Sequence, residues 1–230
     1  MNRTEIIQRI IDKKKAKTYL EIGLADGKNF LKIRARRKIG VDPNFTKRLK
    51  IDRIKLTPRN LTNMAALYEK CTSDSYFARK KSTDRFDVVF IDGLHTYEQS
   101  LKDVINSLAN LNEDGVIVLH DCNPTSKAAA LPESLAKDAA NLKSPGWTGA
   151  WCGDVWKTIC YLRSHRMDLR VFVLNCNWGL GIVTKGQADI CLKLSQEELN
   201  EMTYENFEND RINLLNLRDE NYLFKFLENI

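Results

Sequence analysis

The chain has 230 residues, 36 Lys and Arg against 30 Asp and Glu, a formal net charge of +6, and the 43% hydrophobic and 29% charged content of an ordinary globular domain. Its basic residues fall in short, dispersed clusters (Lys13–Lys15, Arg34–Lys38, Arg79–Lys81), which argues against nucleic acid, and no apolar stretch approaches membrane-spanning length. Six cysteines without a C-x-x-C pair or zinc spacing, and residues 1–17 without an apolar signal core, exclude a disulfide scaffold and make a cytoplasmic protein with reduced thiols the expectation.

Ile6, Ile7, Ile10 and Ile11 share one helical face, so an amphipathic helix opens the chain. The strand Thr18–Ile22 follows, then a glycine turn and a helix expected from about Lys28, with Phe30, Leu31 and Ile33 toward the sheet. Lys38–Val41 reads as the second strand. Pro43 and Pro58 bracket a basic stretch, and 60–68 reads as helical or half-extended. Leu67–Thr72 is the expected third strand, and the charged Lys80–Arg85 segment leads back into the sheet. The near-continuous apolar run Asp87–Ile91 has the character of a parallel strand covered on both faces. Tyr97, Leu101, Val104, Ile105 and Leu108 recur at helical spacing, Asn112–Gly115 reads as a turn, and Val116–Leu119 as another buried strand.

Residues 122–153, punctuated by proline and glycine, form a segment long enough to be a lid. Asp154–Arg163 reads as a helix, and Leu169–Leu174 with Gly181–Thr184 as a terminal antiparallel pair. Beyond Ser195 the chain is helical, with anchors expected at Phe207, Leu214, Leu215, Leu217, Leu223, Phe224 and Leu227. Strands alternating with helices give a doubly wound α/β fold. The expected organisation is one domain over 1–195 and a helical extension over 196–230 on the same domain. Its apolar residues suffice to cover the sheet or to meet a second subunit, so a homodimer stays open.

Ligands of open α/β sheets bind beyond the carboxyl ends of the strands. At those ends this chain places Glu21, Gly23 and Gly27, then Asp42, then Ser73-Asp74, then Asp92 with His95 three residues on, then His120-Asp121. Asp42 lies 19 residues after Gly23, the spacing of an acid that accepts from ribose hydroxyls, which calls for a nucleoside cofactor. The first turn reads E-I-G-L-A-D-G, with Ala25 where a dinucleotide site carries its second glycine and Asp26 where a diphosphate would be repelled. An acid there suits a sulfonium or ammonium instead.

These residues resemble the class I S-adenosylmethionine-dependent methyltransferases, and within them a subgroup with an I-D-G-x-H-x-Y-E signature (Ile91–Glu98) and a later G-x-I-x-x-H-D run (Gly115–Asp121). The resemblance implies a seven-stranded, mostly parallel Rossmann-like sheet with an antiparallel terminal hairpin. It implies that Glu21, Gly23 and Gly27 line the methionine end, that Asp42 holds the ribose, and that Ser73 and Asp74 sit at the adenine edge. It also implies Mg²⁺ or another divalent cation at Asp92 and Asp121, with His120 or Asn123 as a third ligand, and a general base at His95. The expected reaction is O-methylation of a small-molecule or saccharide acceptor. An NAD(P)-dependent oxidoreductase on a similar sheet and a non-catalytic cofactor-binding domain are the alternatives. Trp147 and Trp151 are candidates to meet the acceptor; Trp156 is expected in the core, Trp178 at the terminal hairpin and His165 in solvent. Lys127 and Lys143 carry no assigned role.

Overall fold

The computed structural model describes residues 1–56, 60–80, 84–141 and 144–230; Pro58, residues 81–83 of the charged return, and Lys143 lie outside the described residues. Helix α1 (Arg3–Lys14) is closed by a reciprocal Asn2/Glu5 capping box and buries the four predicted isoleucines. Then come β1 (Thr18–Ile22), β2 (Arg37–Val41), α2 (Lys47–Leu56), a 3₁₀ turn at Leu61–Asn63, β3 (Leu67–Glu69), α3 (Ser73–Arg79) and β4 (Phe86–Ile91). The second half runs α4 (Tyr97–Ala109), β5 (Leu111–Leu119), α5 (Glu133–Asn141), α6 (Trp156–His165), β6 (Leu169–Leu174) and β7 (Leu180–Lys185). The chain ends with α7 (Gln196–Glu201), α8 (Tyr204–Leu215), β8 (Leu217–Arg218) and α9 (Tyr222–Glu228).

The sheet order is β3-β2-β1-β4-β5-β7-β6-β8. Strands β3 to β5 are parallel neighbours, β7 runs antiparallel between β5 and β6, and β6 pairs parallel with β8. The sheet therefore has eight strands where seven were expected. The added one is a two-residue bridge in which Leu217 and Arg218 meet Val173 and Leu174. A turn expected at Asn112–Gly115 is instead a distortion inside β5, where the pairing passes from Phe86↔Leu111 to Val88↔Val116.

Alternation along the strands feeds two cores. Val89, Ile91, Ile117, Leu119, Val171 and Val173 face one cluster with α4, α6 and α8; Val88, Phe90, Val116, Val118 and Phe172 face the other with α1 and α9. Each fully buried aliphatic or aromatic side chain contributes about 1.5–3 kcal/mol. The C-terminal anchors follow the sequence except at α9, where Phe226 is buried and Phe224 is exposed under the Arg9 guanidinium. In α4, Ile105 is exposed while Asp103 is buried on the inner face.

The helix expected from Lys28 does not form. Residues 28–32 are turns, although Phe30, Leu31 and Ile33 are fully buried as expected. Distant side chains take the carbonyls that a helix would use. Lys38 Nζ donates to the Phe30 and Ile33 oxygens at 2.8 Å each, Asn60 Nδ2 to those of Leu31 and Ile33 at 3.0 and 2.9 Å, and Asn63 Nδ2 to Leu31 at 3.1 Å. Two i→i−4 bonds do form, from the Leu31 N–H to the Gly27 oxygen at 2.9 Å and from the Ile33 N–H to the Asn29 oxygen at 3.3 Å, but with the next carbonyls taken by these side chains the ladder goes no further. The third strand stops at Glu69, because Thr72 already caps α3 by accepting from the Ser75 N–H. No helix among the described residues is long and apolar enough to cross a membrane.

Candidate functional site

The strand tips open into a cavity of about 740 Å³, a volume in the range of small-molecule sites. Its lining includes Gly23, Asp42, Ser73, Asp74, Asp92, His95 and Asp121 of the predicted residues. Glu21, Gly27 and Asn123 are not on it.

Gly23 has φ of +83°, and a Cβ there would stand 1.9 Å from the Asp92 carbonyl oxygen. Glycine is thus required where the tips of β1 and β4 close on each other. Asp42 ends β2 and ties down the turn beside it: Oδ2 accepts from the Leu24 and Ala25 N–H groups at 2.8 and 2.9 Å, and Oδ1 from Asn44 at 2.7 Å. A carboxylate has about four acceptor positions, so one on Oδ1 is left for a ligand. On the far side, Gln99 Nε2 reaches Ser73 Oγ and Asp74 Oδ1 at 3.3 Å and Asp103 Oδ1 at 3.0 Å. Burial pushes the Asp103 carboxyl up to about 6.

Glu21 lies one residue before the lining, fully buried, and accepts from Tyr19 Oη at 2.5 Å and Asn29 Nδ2 at 2.8 Å. Burial pushes its carboxyl up to about 7 against the pull of those hydrogen bonds. Gly27 packs on Leu49 of α2. Asn123 has its Oδ1 held by Arg211 Nη1 at 2.5 Å and its Nδ2 on Asn175 at 3.1 Å.

At the other end of the cavity, β4 and β5 deliver a charged cluster. His95 Nε2 is 3.2 Å from Asp121 Oδ2 and 3.5 Å from Asp92 Oδ1. Its Nδ1 is 2.7 Å from the Trp151 carbonyl oxygen. His120 Nδ1 is 2.9 Å from Asp121 Oδ2 and 3.1 Å from Asp92 Oδ1, and Arg3 Nη1 donates to Asp92 Oδ2 at 2.8 Å. Burial works against the charge on Asp92, but the His120 and His95 hydrogen bonds and the Arg3 charge outweigh it and hold the carboxyl well below the usual range. Burial likewise lowers both imidazoles, and the Asp92 and Asp121 carboxylates more than reverse that: His95 is raised, and His120 reaches about 9. Asp92, His95 and Asp121 have one ligand atom each within 4.8 Å of one another, a grouping that fits a metal ion.

The segment before α6 covers this cluster. Trp151 lies with its ring 5.3 Å from that of His95, and Cys152 and Gly153 N–H groups bind the Ala129 oxygen at 2.8 and 3.1 Å. The predicted lid is broken by α5, and its described end packs on the site. Trp156 is buried, as expected, and His165 is exposed. Trp147 stays off the cavity, whereas Trp178, placed by sequence at the hairpin, lines it together with Arg3, Gln99 and Asp103. None of these was signalled in the sequence: Asp103 falls off the helical face that Tyr97, Leu101, Val104 and Leu108 define, and is buried beside Ser100 and Ser107 instead.

A sheet of this order, with a glycine turn and acids at its tips around one cavity, is the fold of a class I methyltransferase. Residues 20–122 match the sequence profile of a methyltransferase domain. The chain thus has the Rossmann-like methyltransferase fold, and its residues 20–122 are similar to a methyltransferase domain. Similar solved structures include the O-methyltransferase TomG from Streptomyces achromogenes, involved in tomaymycin synthesis and crystallised with S-adenosylmethionine (12% identity, TM-score 0.56, covering 80% of this chain and 79% of that one). The S-adenosylhomocysteine-bound methyltransferase PaMTH1 from Podospora anserina matches at 16% identity and TM-score 0.56, over 80% of this chain and 78% of its own. An O-methyltransferase from Bacillus cereus with S-adenosylhomocysteine matches at 15% identity and TM-score 0.53, over 80% and 82%. At these identities the likeness is one of fold. No curated protein matches the chain.

Proposed function

We propose that the protein transfers a methyl group from S-adenosylmethionine to a hydroxyl of a small-molecule or saccharide acceptor. The observation that carries this reading is the convergence of Gly23, Asp42, Ser73, Asp74, Asp92, His95 and Asp121 on one cavity. The similar structures named above as O-methyltransferases support the acceptor atom. S-adenosylmethionine supplies the electrophilic methyl.

Asp42 offers its free Oδ1 position to the ribose, and the Ser73–Asp74–Gln99 group offers donors and acceptors to the adenine edge. His95 takes the acceptor proton on Nε2, since the Trp151 oxygen fixes the proton of Nδ1. Asp92 and Asp121 beside Nε2 stabilise the imidazolium so formed. The cavity wall near His95 carries Trp151, an aromatic face suited to a sugar or an aromatic ring.

Asp92 and Asp121 are the residues that would hold a divalent cation, beside His95 with its Nε2 kept free as the base; such an ion would polarise the acceptor oxygen and lower its pKa. Asn123, with its oxygen on Arg211, is left out of that set. A calorimetric titration with Mn²⁺ on the wild type and Asp121→Asn tests the ion: binding lost in the variant supports it, and no binding to either refutes it.

Calorimetry with S-adenosylhomocysteine and NAD(P)H, followed by methyl transfer to a panel of hydroxylated sugars and phenols, tests the reading. Tight S-adenosylhomocysteine binding and turnover on one acceptor class is the expected result. Binding of NAD(P)H alone would reverse it, and cofactor binding without turnover on any acceptor would favour a binding domain.

A further inference from the structure

Arg3 is the first residue of α1, and its side chain ends at the cavity beside the tips of β4 and β5. Five aspartates line that cavity, at 42, 74, 92, 103 and 121, and Arg3 is its one Arg or Lys among the described residues. The position is fixed from both sides. Asn177 Nδ2 donates to the Met1 oxygen at 2.9 Å, Thr4 Oγ1 to Asn29 Oδ1 at 2.8 Å, and the isoleucines one turn on are buried in the core.

Only one nitrogen of the guanidinium is engaged. Nη1 meets Asp92 Oδ2 at 2.8 Å and His120 Nε2 at 3.2 Å. Nε and Nη2, with three N–H donors, have no protein partner among the described residues, and the side chain is 35% exposed.

The direction of a bound cofactor follows from the tips. Asp42 and the Ser73–Asp74 corner lie on the β2 and β3 side, which leaves Gly23, Asp92 and Arg3 for the amino-acid end. That end carries an α-carboxylate and an α-ammonium a few ångströms apart. Arg3 and Asp92 present the complementary charges in contact with each other. A guanidinium fork pairs with a carboxylate through two parallel N–H···O bonds, which a lone lysine ammonium cannot do.

We propose that Arg3 receives the methionine carboxylate of S-adenosylmethionine while Asp92 faces its ammonium, so that α1 confers selectivity for the intact amino-acid moiety. This rests on the reading of the cavity as an S-adenosylmethionine site.

The test measures dissociation constants for S-adenosylhomocysteine, its decarboxylated analogue and 5′-methylthioadenosine, on the wild type, Arg3→Lys and Arg3→Ala. The wild type is expected to bind S-adenosylhomocysteine about 10–100-fold tighter than the decarboxylated analogue, the scale of one charge-assisted pair. Arg3→Ala should lose that preference while binding the decarboxylated analogue within about threefold of the wild type, with Arg3→Lys between them. Equal weakening of both ligands in the variants would overturn the proposal, as Arg3 would then only brace Asp92. So would unchanged S-adenosylhomocysteine binding, including the case in which only the acceptor KM rises. If none of the three adenosyl ligands binds the wild type, the cofactor reading itself falls. Arg3→Lys keeps the test open should Arg3→Ala fail to fold.

Discussion

The carbonyl oxygen of Trp151 lies 2.7 Å from Nδ1 of His95, so a residue of the covering segment decides which imidazole nitrogen is left for chemistry. A carbonyl only accepts, so Nδ1 carries a proton, and Nε2, between Asp92 and Asp121, is the nitrogen the proposed base chemistry would use. Replacing His95 by Gln keeps a polar side chain but removes the exchangeable proton. Turnover should fall by about 100–10,000-fold while S-adenosylhomocysteine affinity changes by less than about fivefold. Stopped-time methyl transfer and calorimetry measure the two. A comparable loss of cofactor affinity would make His95 a binding group instead of the base.

The same covering segment depends on a glycine. Gly153 has φ of +60°, and a Cβ there would stand 1.8 Å from the His95 carbonyl oxygen. Gly149 has a similar backbone, φ of +83°, but nothing within 4 Å of its Cβ position. Gly149→Ala should therefore cost only the left-handed backbone, about 1–2 kcal/mol. Gly153→Ala should add displacement of the His95 backbone, exceed that by at least about 2 kcal/mol, and lower turnover as well. Urea unfolding of the two variants beside the wild type gives the comparison; equal costs would mean that the segment does not press on His95.

How far the sequence could be read depended on how local the signal was. Val88–Ile91 and Val116–Leu119 announce buried parallel strands by composition, and the acids at their ends follow from where those strands stop. The turn at 28–32 could not be read so, because what replaces its helical hydrogen bonds comes from Lys38, Asn60 and Asn63, residues whose approach depends on the finished fold. Arg3 and Trp178 meet in one cavity from opposite ends of the chain, and nothing near either in sequence signals it. Glu21 is the instructive case. Its place at the end of β1 suggests a ligand contact, yet Tyr19 and Asn29 have taken one of its oxygens and the cavity begins at Ile22.

That burial makes Glu21 a source of pH dependence. Its carboxyl titrates near 7 in the folded protein against an ordinary value of 4.5. Between those values the folded state holds a proton that the unfolded chain has released. The stabilisation is complete below about pH 4.5 and is lost as pH rises through 7, amounting to at most about 3 kcal/mol. Glu21→Gln cannot ionise and keeps both an acceptor and donors for Tyr19 and Asn29. Its urea midpoint should therefore gain on the wild type between pH 4.5 and 7 and then run parallel. Parallel midpoints across the whole window would show that Glu21 is charged in the fold.

Trp156 tests the packing that joins α6 to the C-terminal helices. Its indole is 2% exposed, lies 4.6 Å from the Phe207 ring of α8, and has an Nε1–H with no hydrogen-bond partner among the described residues. An unmatched buried donor costs about 1–3 kcal/mol where it stands, so removing it offsets part of the packing lost on truncation. Trp156→Phe should consequently cost less than about 2 kcal/mol, the residue of a smaller ring in the same place. Trp156→Ala removes the contact with Phe207 altogether and should cost about 3–5 kcal/mol. Proteolysis of the two variants separates a local effect from a global one: a protease should release the 196–230 segment from Trp156→Ala first. If Trp156→Phe costs as much as the alanine variant, the indole nitrogen has a partner, such as a bound water, and the helix junction relies on that bond.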